Sequence, residues 1–338
     1  METISRASFD NLPTELVLLI LQYAAEPTFT QPEQYVVKNP YSTARTLCLV
    51  SRAVRRVALP EMLHTVLLGF RNVRAFAHAL RMQAEYAQTD SSLCLAYTRY
   101  TRNIWIGHPT SVPESDLDLL APVLLSAPSL AIDFLSMDLL TRCVEHAWTH
   151  MDKNIDRQHS PPPWRTKTLT LSGMVISPWH ITTRRPSGSA FLASVAHLVV
   201  LPHTQIDSNL HVIRRITGVI GFQDYALPRW MRHAPWTSFR RLESISLAFP
   251  RIKPSLNVYA FIRGMNLQTE LLTFPASLVK GHRVPLEIKE SAETGDGHIS
   301  LNDVCLVVSD SQVHFSVFHQ EWEKVWACGL YAEGGAVS

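Results

Sequence analysis

His146 and His150 stand four residues apart in a stretch of helical character, the spacing at which two imidazoles share a helix face and can hold zinc. Ala147 occupies the place where a zinc protease of that type would carry its glutamate, and fifteen histidines make one such pair expected by accident. Ordinary surface or half-buried histidines are therefore the reading of the pair. The five cysteines, Cys48, Cys94, Cys143, Cys305 and Cys328, are scattered without a close pair. An odd, unpatterned set reads as reduced thiols of the cytosol or nucleus, not as a disulfide framework. Cys328 lies near Trp326 and Gly329, but no particular histidine can be assigned to activate it. There is no Gly-x-Ser-x-Gly elbow, and Gly295-Asp296-Gly297 and Gly334-Gly335 lack the strand-to-helix setting of a phosphate-cradling loop. The residue chemistry thus predicts no catalytic residue, no cofactor and no metal, and the expectation is a protein that is not an enzyme.

Composition agrees with a folded, water-soluble chain. Hydrophobic residues make up 46% and charged residues 18% of 338 residues, enough for one large domain or two smaller ones with a substantial core. The longest apolar run, Leu16 to Leu21, is too short to span a bilayer, and Met1 to Arg6 lacks the pattern of a secretory signal. A net charge of +2 does not predict nucleic-acid binding; Arg184-Arg185, Arg214-Arg215 and Arg240-Arg241 read as a scattered, solvated surface.

The elements that organise the N-terminal part are two helical segments. Pro13 suits the first position of a helix, and Thr14 and Glu15 suit its first turn. Leu12, Leu16, Leu19, Ile20 and Tyr23 fall on one stripe, while Val17, Leu18 and Leu21 lie outside it, so the helix is apolar nearly all round. Such a helix needs cover on every side. Either a partner protein or the chain's own C-terminal region supplies the second cover. In the next segment Leu47, Val50, Val54 and Val57 recur at helical spacing, with Arg45, Arg52, Arg55 and Arg56 mostly off that stripe. Pro60 is expected to stop or kink the run, and Leu63 follows.

Leu12-Pro13-Thr14-Glu15-Leu16 followed by Leu47-Cys48-Leu49-Val50-Ser51-Arg52 and Ala58-Leu59-Pro60-Glu61-Met62-Leu63 resembles an F-box, in the form familiar from large fungal F-box families. The likeness covers residues 9 to about 65. It implies an all-α docking module that binds a Skp-family adaptor and, through it, a cullin. Carried over to that docking role are Leu12, Pro13, Leu16, Ile20, Leu47, Val50 and Leu63. The chain departs from the family in a long proline-bearing link from Glu26 to Tyr41, and in Val54 and His64 at places where members often carry tryptophan.

Beyond the hairpin, Asn72 is a candidate N-cap for a helix with Val73, Phe76, Ala77 and Leu80 on one face. Short apolar strands then recur: Ile104-Trp105-Ile106, Ile132 to Leu135, Leu169-Thr170-Leu171, His197 to Leu201, Ile245-Ser246-Leu247 and Leu271 to Phe274. Their spacing, roughly 26 to 47 residues, lies around or above the period of a leucine-rich repeat. Helices over Asp116 to Leu125 and Leu139 to His150 would make strand, crossover helix, strand the repeating unit. This resembles the degenerate leucine-rich repeats that often follow fungal F-boxes; an ordinary α/β domain with parallel, buried strands is the other reading. His159 to Trp164 reads as an exposed proline-rich loop. Val284 to Glu290 and His298 to Val308 read as a terminal hairpin turned at Asp296-Gly297, and Trp322, Val325 and Trp326 as a cap sealing the last repeat.

The fold class expected is therefore α+β or α/β: an all-α F-box helical hairpin over 8–66, a connecting helical segment over 67–99, and a degenerate leucine-rich-repeat-like α/β solenoid over 100–338, with the terminal hairpin and cap at about 283–338. The function the resemblance implies is substrate recognition in a Skp–cullin–F-box ubiquitin ligase, cytoplasmic or nuclear. An unidentified protein substrate would be held by the C-terminal region; neither nucleic acid nor a membrane is an expected partner. The alternative is a repeat-type interaction scaffold outside ubiquitin ligases, its helical hairpin capping the solenoid.

Overall fold

A computed structural model describes residues 12–27, 39–89, 93–107, 112–150, 162–173, 179–202, 234–250, 266–276 and 305–314, together with Glu323 and Trp326. Helix α1 (Thr14–Ala25) begins after Pro13, whose carbonyl accepts from the Leu16 and Val17 N–H groups. The second segment is not one helix. Helix α2 (Ser42–Leu47) ends in a turn over residues 48–50, and Ser51 then starts α3 (Arg52–His64). Ser51 has extended backbone and accepts from Val54 N–H at 3.2 Å, so the serine terminates one helix by capping the next. Leu47 to Arg52 therefore spans a break, and the expected hairpin is a three-helix unit. Pro60 does not stop α3, which continues one more turn to His64; the proline removes a single N–H from a helix that packing holds in place. Ala25, Ala44 and Ala58 are buried where α1, α2 and α3 meet, their small side chains allowing close approach.

Strand β1 (Thr65–Leu68) follows α3 without a break and was not foreseen. The boundary expected at residue 66 therefore falls inside a strand. Asn72 then ties the turn into α4 (Val73–Thr89), accepting from Gly69 N–H and donating to the Leu67 carbonyl, both at 2.7 Å. A short helix α5 (Tyr97–Tyr100) leads to β2 (Asn103–Ile106). Next come α6 (Leu117–Ser126), β3 (Ser129–Asp133) and α7 (Met137–Thr149). The third strand was expected at Ile132 to Leu135; it ends at Asp133, whose carboxylate accepts from Leu135 N–H and opens a tight helical turn over Phe134–Ser136. Strand β4 (Thr168–Gly173), helices α8 (Trp179–Thr183) and α9 (Pro186–Leu192) and β5 (His197–Pro202) complete the regular part. Three further strands are β6 (Ser244–Pro250), β7 (Asn266–Pro275) and β8 (Cys305–His314).

The eight described strands form one sheet in chain order. Strands β1 to β6 are parallel; β7 and β8 join antiparallel, so the run of parallel strands ends at β6. The register aligns the apolar residues: Val66, Ile104, Leu130, Leu169, Leu198 and Ile245 form one row across six strands. That row is buried with Leu80 of α4, Leu120 and Leu124 of α6, Leu140 and Val144 of α7 and Phe191 of α9 in a single core. The side-chain period of two sends the intervening residues to the other face. There the row reads Leu67, Trp105, Ala131, Thr170, Val199, Ser246 and Thr273.

A backbone hydrogen bond recurs just before successive strands: Ser129 N–H to Arg102 O, Thr168 N–H to Pro128 O, His197 N–H to Lys167 O, and Ser244 N–H to Ala196 O. The same link at the same place in each crossing sets the strand register before the strand begins.

Two expectations at the chain's turns are corrected. Trp164, placed in an exposed loop by the sequence, is buried: it stacks on Trp148 with centroids 5.9 Å apart and meets Phe191 edge-on at 5.7 Å. The prolines before it do not prevent a large apolar ring from entering the core. Trp326 is also buried, but it covers Trp105 of β2, at 5.6 Å between centroids, rather than the last strand. Trp105 is the one large ring in the row on the face away from the helices, and it demands cover. Strand β8 overlaps the expected His298 to Val308 strand and pairs with β7; Val284 to Glu290, the Asp296-Gly297 turn, Trp322 and Val325 lie outside the described residues.

Candidate functional site

The inward edge of α1 is narrow. Val17 and Leu21 are half-buried and Ala25 is buried, a four-residue spacing that lays these three against α2 and α3. The stripe first picked out by helical spacing points the other way. Leu12, Leu16, Leu19, Ile20 and Tyr23 are all exposed, with Leu16 at 46% and Tyr23 at 65% of full exposure, and Leu18 is exposed beside them. Leu49 and Val50, in the turn between α2 and α3, are exposed at 87% and 65%. The three-helix unit therefore presents a run of large apolar side chains to solvent, the kind of surface that marks an interaction site.

The residues proposed for docking divide accordingly. Leu12, Pro13, Leu16, Ile20 and Val50 are on the surface; Leu47 is half-buried against the alanine seam. Leu63 is 4% exposed and belongs to the main core, so it is withdrawn from the docking set. The physical reason is β1: a strand starting at Thr65 pulls the last turn of α3 down onto the sheet. Leu49 was missed because a strand-and-helix pattern gives no weight to an apolar residue in a turn. Residues 28–38 of the link lie outside the described residues.

A second feature lies on the opposite side of α3. Arg52, Arg55 and Arg56 line a cavity of about 320 Å³ with Leu59, Leu93, Cys94, Leu95 and Tyr100. Burial raises the Cys48 thiol and the Tyr97 phenol above their ordinary ranges, and the Arg55 charge opposes the shift in both. Three cations at one cavity mouth attract acidic groups, yet a helix face rich in arginine is also simply soluble.

The third feature gathers the histidine pair with a residue the sequence did not suggest. His146 and His150, at the end of α7, have ring centroids 4.0 Å apart and planes inclined by 32°. Asp118, in the first turn of α6, places its Oδ1 2.7 Å from His146 Nε2. Twenty-eight residues separate Asp118 from His146, and only the packing of α6 on α7 joins them. Of the other expected chemistry, Arg185 pairs with Glu145, while Cys328 and Arg214-Arg215 lie outside the described residues.

Among the described residues no helix is long and apolar enough to cross a membrane. No family model, no curated protein and no solved structure matches the chain.

Proposed function

We propose that this chain is an F-box-type adaptor: its N-terminal three-helix unit docks a Skp-family protein, and its sheet-bearing body holds a protein substrate near the ubiquitin-charged enzyme. The observation that carries the reading is the exposed apolar face of α1, Leu12, Leu16, Leu19, Ile20 and Tyr23, on a motif ordered as in F-boxes. An apolar face left in water is costly, roughly 25 cal/mol for each Å², and a docked partner removes that cost. Catalysis by this chain is not needed. Tethering alone raises the effective concentration of substrate lysines, to the millimolar range for a short link. In this reading the six parallel strands and their helices form a short, degenerate leucine-rich-repeat solenoid, the cullin is reached through the adaptor, and the site of action is cytoplasm or nucleus.

One observation favours the alternative, a repeat scaffold that keeps the F-box shape. Leu59 and Leu63 of α3 are built into the main core, as a capping helix would be. The two readings part at α1, where Ala25 is fully buried, Val17 and Leu21 are half-buried and the larger apolar residues face solvent.

Co-purification of the full chain with the Skp-type adaptor tests the proposal. The intact chain is expected to bring down the adaptor stoichiometrically, and Leu16→Asp to abolish this while retaining the wild-type circular dichroism and melting temperature. Removing residues 1 to 66 is the poorer test, because it also deletes half of β1. An unchanged complex with Leu16→Asp would refute the docking assignment.

A further inference from the structure

We propose that Asp118, His146 and His150 form a binding site for one divalent transition-metal ion, zinc being the best match, which clasps the first turn of α6 to the last turn of α7. One ligand atom from each residue lies within 4.8 Å of the others. In a tetrahedral zinc site with bonds of roughly 2.0–2.1 Å, ligand atoms sit about 3.3 Å apart. Closing the set thus takes about 1.5 Å, within the reach of rotation by side chains that are exposed or half-buried.

A second observation concerns which nitrogen is free. His150 Nδ1 lies 2.8 Å from the His146 backbone carbonyl oxygen, which only accepts, so in the neutral ring that contact is made by the tautomer protonated at Nδ1, whose Nε2 offers a lone pair to a metal. A backbone carbonyl holding the far N–H is the usual support of a metal-bound imidazole, fixing tautomer and ring orientation. His146 Nε2 is paired with Asp118 Oδ1; on binding, the ring takes the tautomer protonated at Nδ1, and the metal occupies the place of the bridging proton. Two imidazoles and a carboxylate select zinc, copper or nickel over magnesium and calcium, which prefer oxygen alone. Three protein ligands leave the fourth position for water.

Titration calorimetry of the metal-free, untagged full chain with zinc sulfate tests this, with thermal melting in parallel. One saturable zinc per chain and a raised melting temperature are expected. His150→Ala and Asp118→Asn should each weaken zinc binding by about tenfold or more, while the metal-free melting temperature shifts by no more than a few degrees, since both side chains are exposed and their contacts are surface ones. X-ray absorption of the zinc complex should show two imidazole nitrogens among oxygen ligands. No saturable uptake, uptake that both variants retain, or a sulfur-bearing zinc shell would each overturn the assignment.

Discussion

At the scale of single residues, burial governs chemistry more than identity does. Cys143 on α7 is fully buried among core side chains, and its thiol is pushed up to about 12 because burial disfavours the thiolate, with Arg142 partly opposing and Glu114 adding to the shift. In the unfolded chain the thiol ionises near its ordinary 9.0. Between those values the unfolded state has lost a proton the folded state keeps, so stability falls as pH rises. The contribution is intact below 9.0 and is lost progressively toward 12. Urea unfolding at increasing pH should therefore show a steeper loss of stability in the wild type than in Cys143→Ala; equal slopes would contradict the burial. The same scale explains the histidines. Their spacing is visible in the chain, but Asp118 sits on another helix, and no local pattern connects it to them.

At the scale of elements, close approach decides outcomes that helix propensity would reverse. Gly188 lies within α9, where alanine is intrinsically better by about 0.8–1.0 kcal/mol. A Cβ at that position would meet the Thr182 carbonyl oxygen at 1.8 Å, a contact with backbone that no side-chain rotation relieves. Gly188→Ala is therefore expected to destabilise by about 1–3 kcal/mol, read as a lower urea midpoint; a stabilised variant would show that α8 and α9 are not so closely apposed. The three-helix unit teaches a related lesson. Helical periodicity marked a helix opening at Pro13 and apolar nearly all round, and α1 spans Thr14–Ala25, but which stripe packs depended on the alanine seam with α2 and α3. Ser51 is legible in retrospect as a cap, since serine followed by a helical run is an N-terminal signal.

At the scale of the whole molecule, the face of the sheet away from the helices is closed at β2. Trp326 reaches Trp105 across more than two hundred residues of sequence, and both rings are buried. Trp326→Ala is expected to cost about 3–5 kcal/mol and to shift the fluorescence of the newly exposed Trp105 to longer wavelength. Unaltered stability would mean that the contact adds little to the fold. That same face carries Thr170 Oγ1, fully buried and without a hydrogen-bond partner among the described residues, and Ser246, whose hydroxyl pairs with Thr273 at 2.8 Å.

The sequence by itself determined the local structure. Short apolar runs placed five of the parallel strands, α1 followed from its periodicity, α6 and α7 from helical stretches between the strands, and the ordered Leu-Pro-x-Glu-Leu and Leu-x-x-Val-Ser-Arg motifs singled out the N-terminal unit. These signals are legible because strand and helix periods are written within ten or fifteen residues. Only the tertiary structure decided that β1 completes the sheet, that β7 and β8 run antiparallel, that Leu63 is core, and that Asp118 meets His146. Each depends on which surfaces remain to be covered after the local elements form, and that is settled by contacts between residues far apart in the chain.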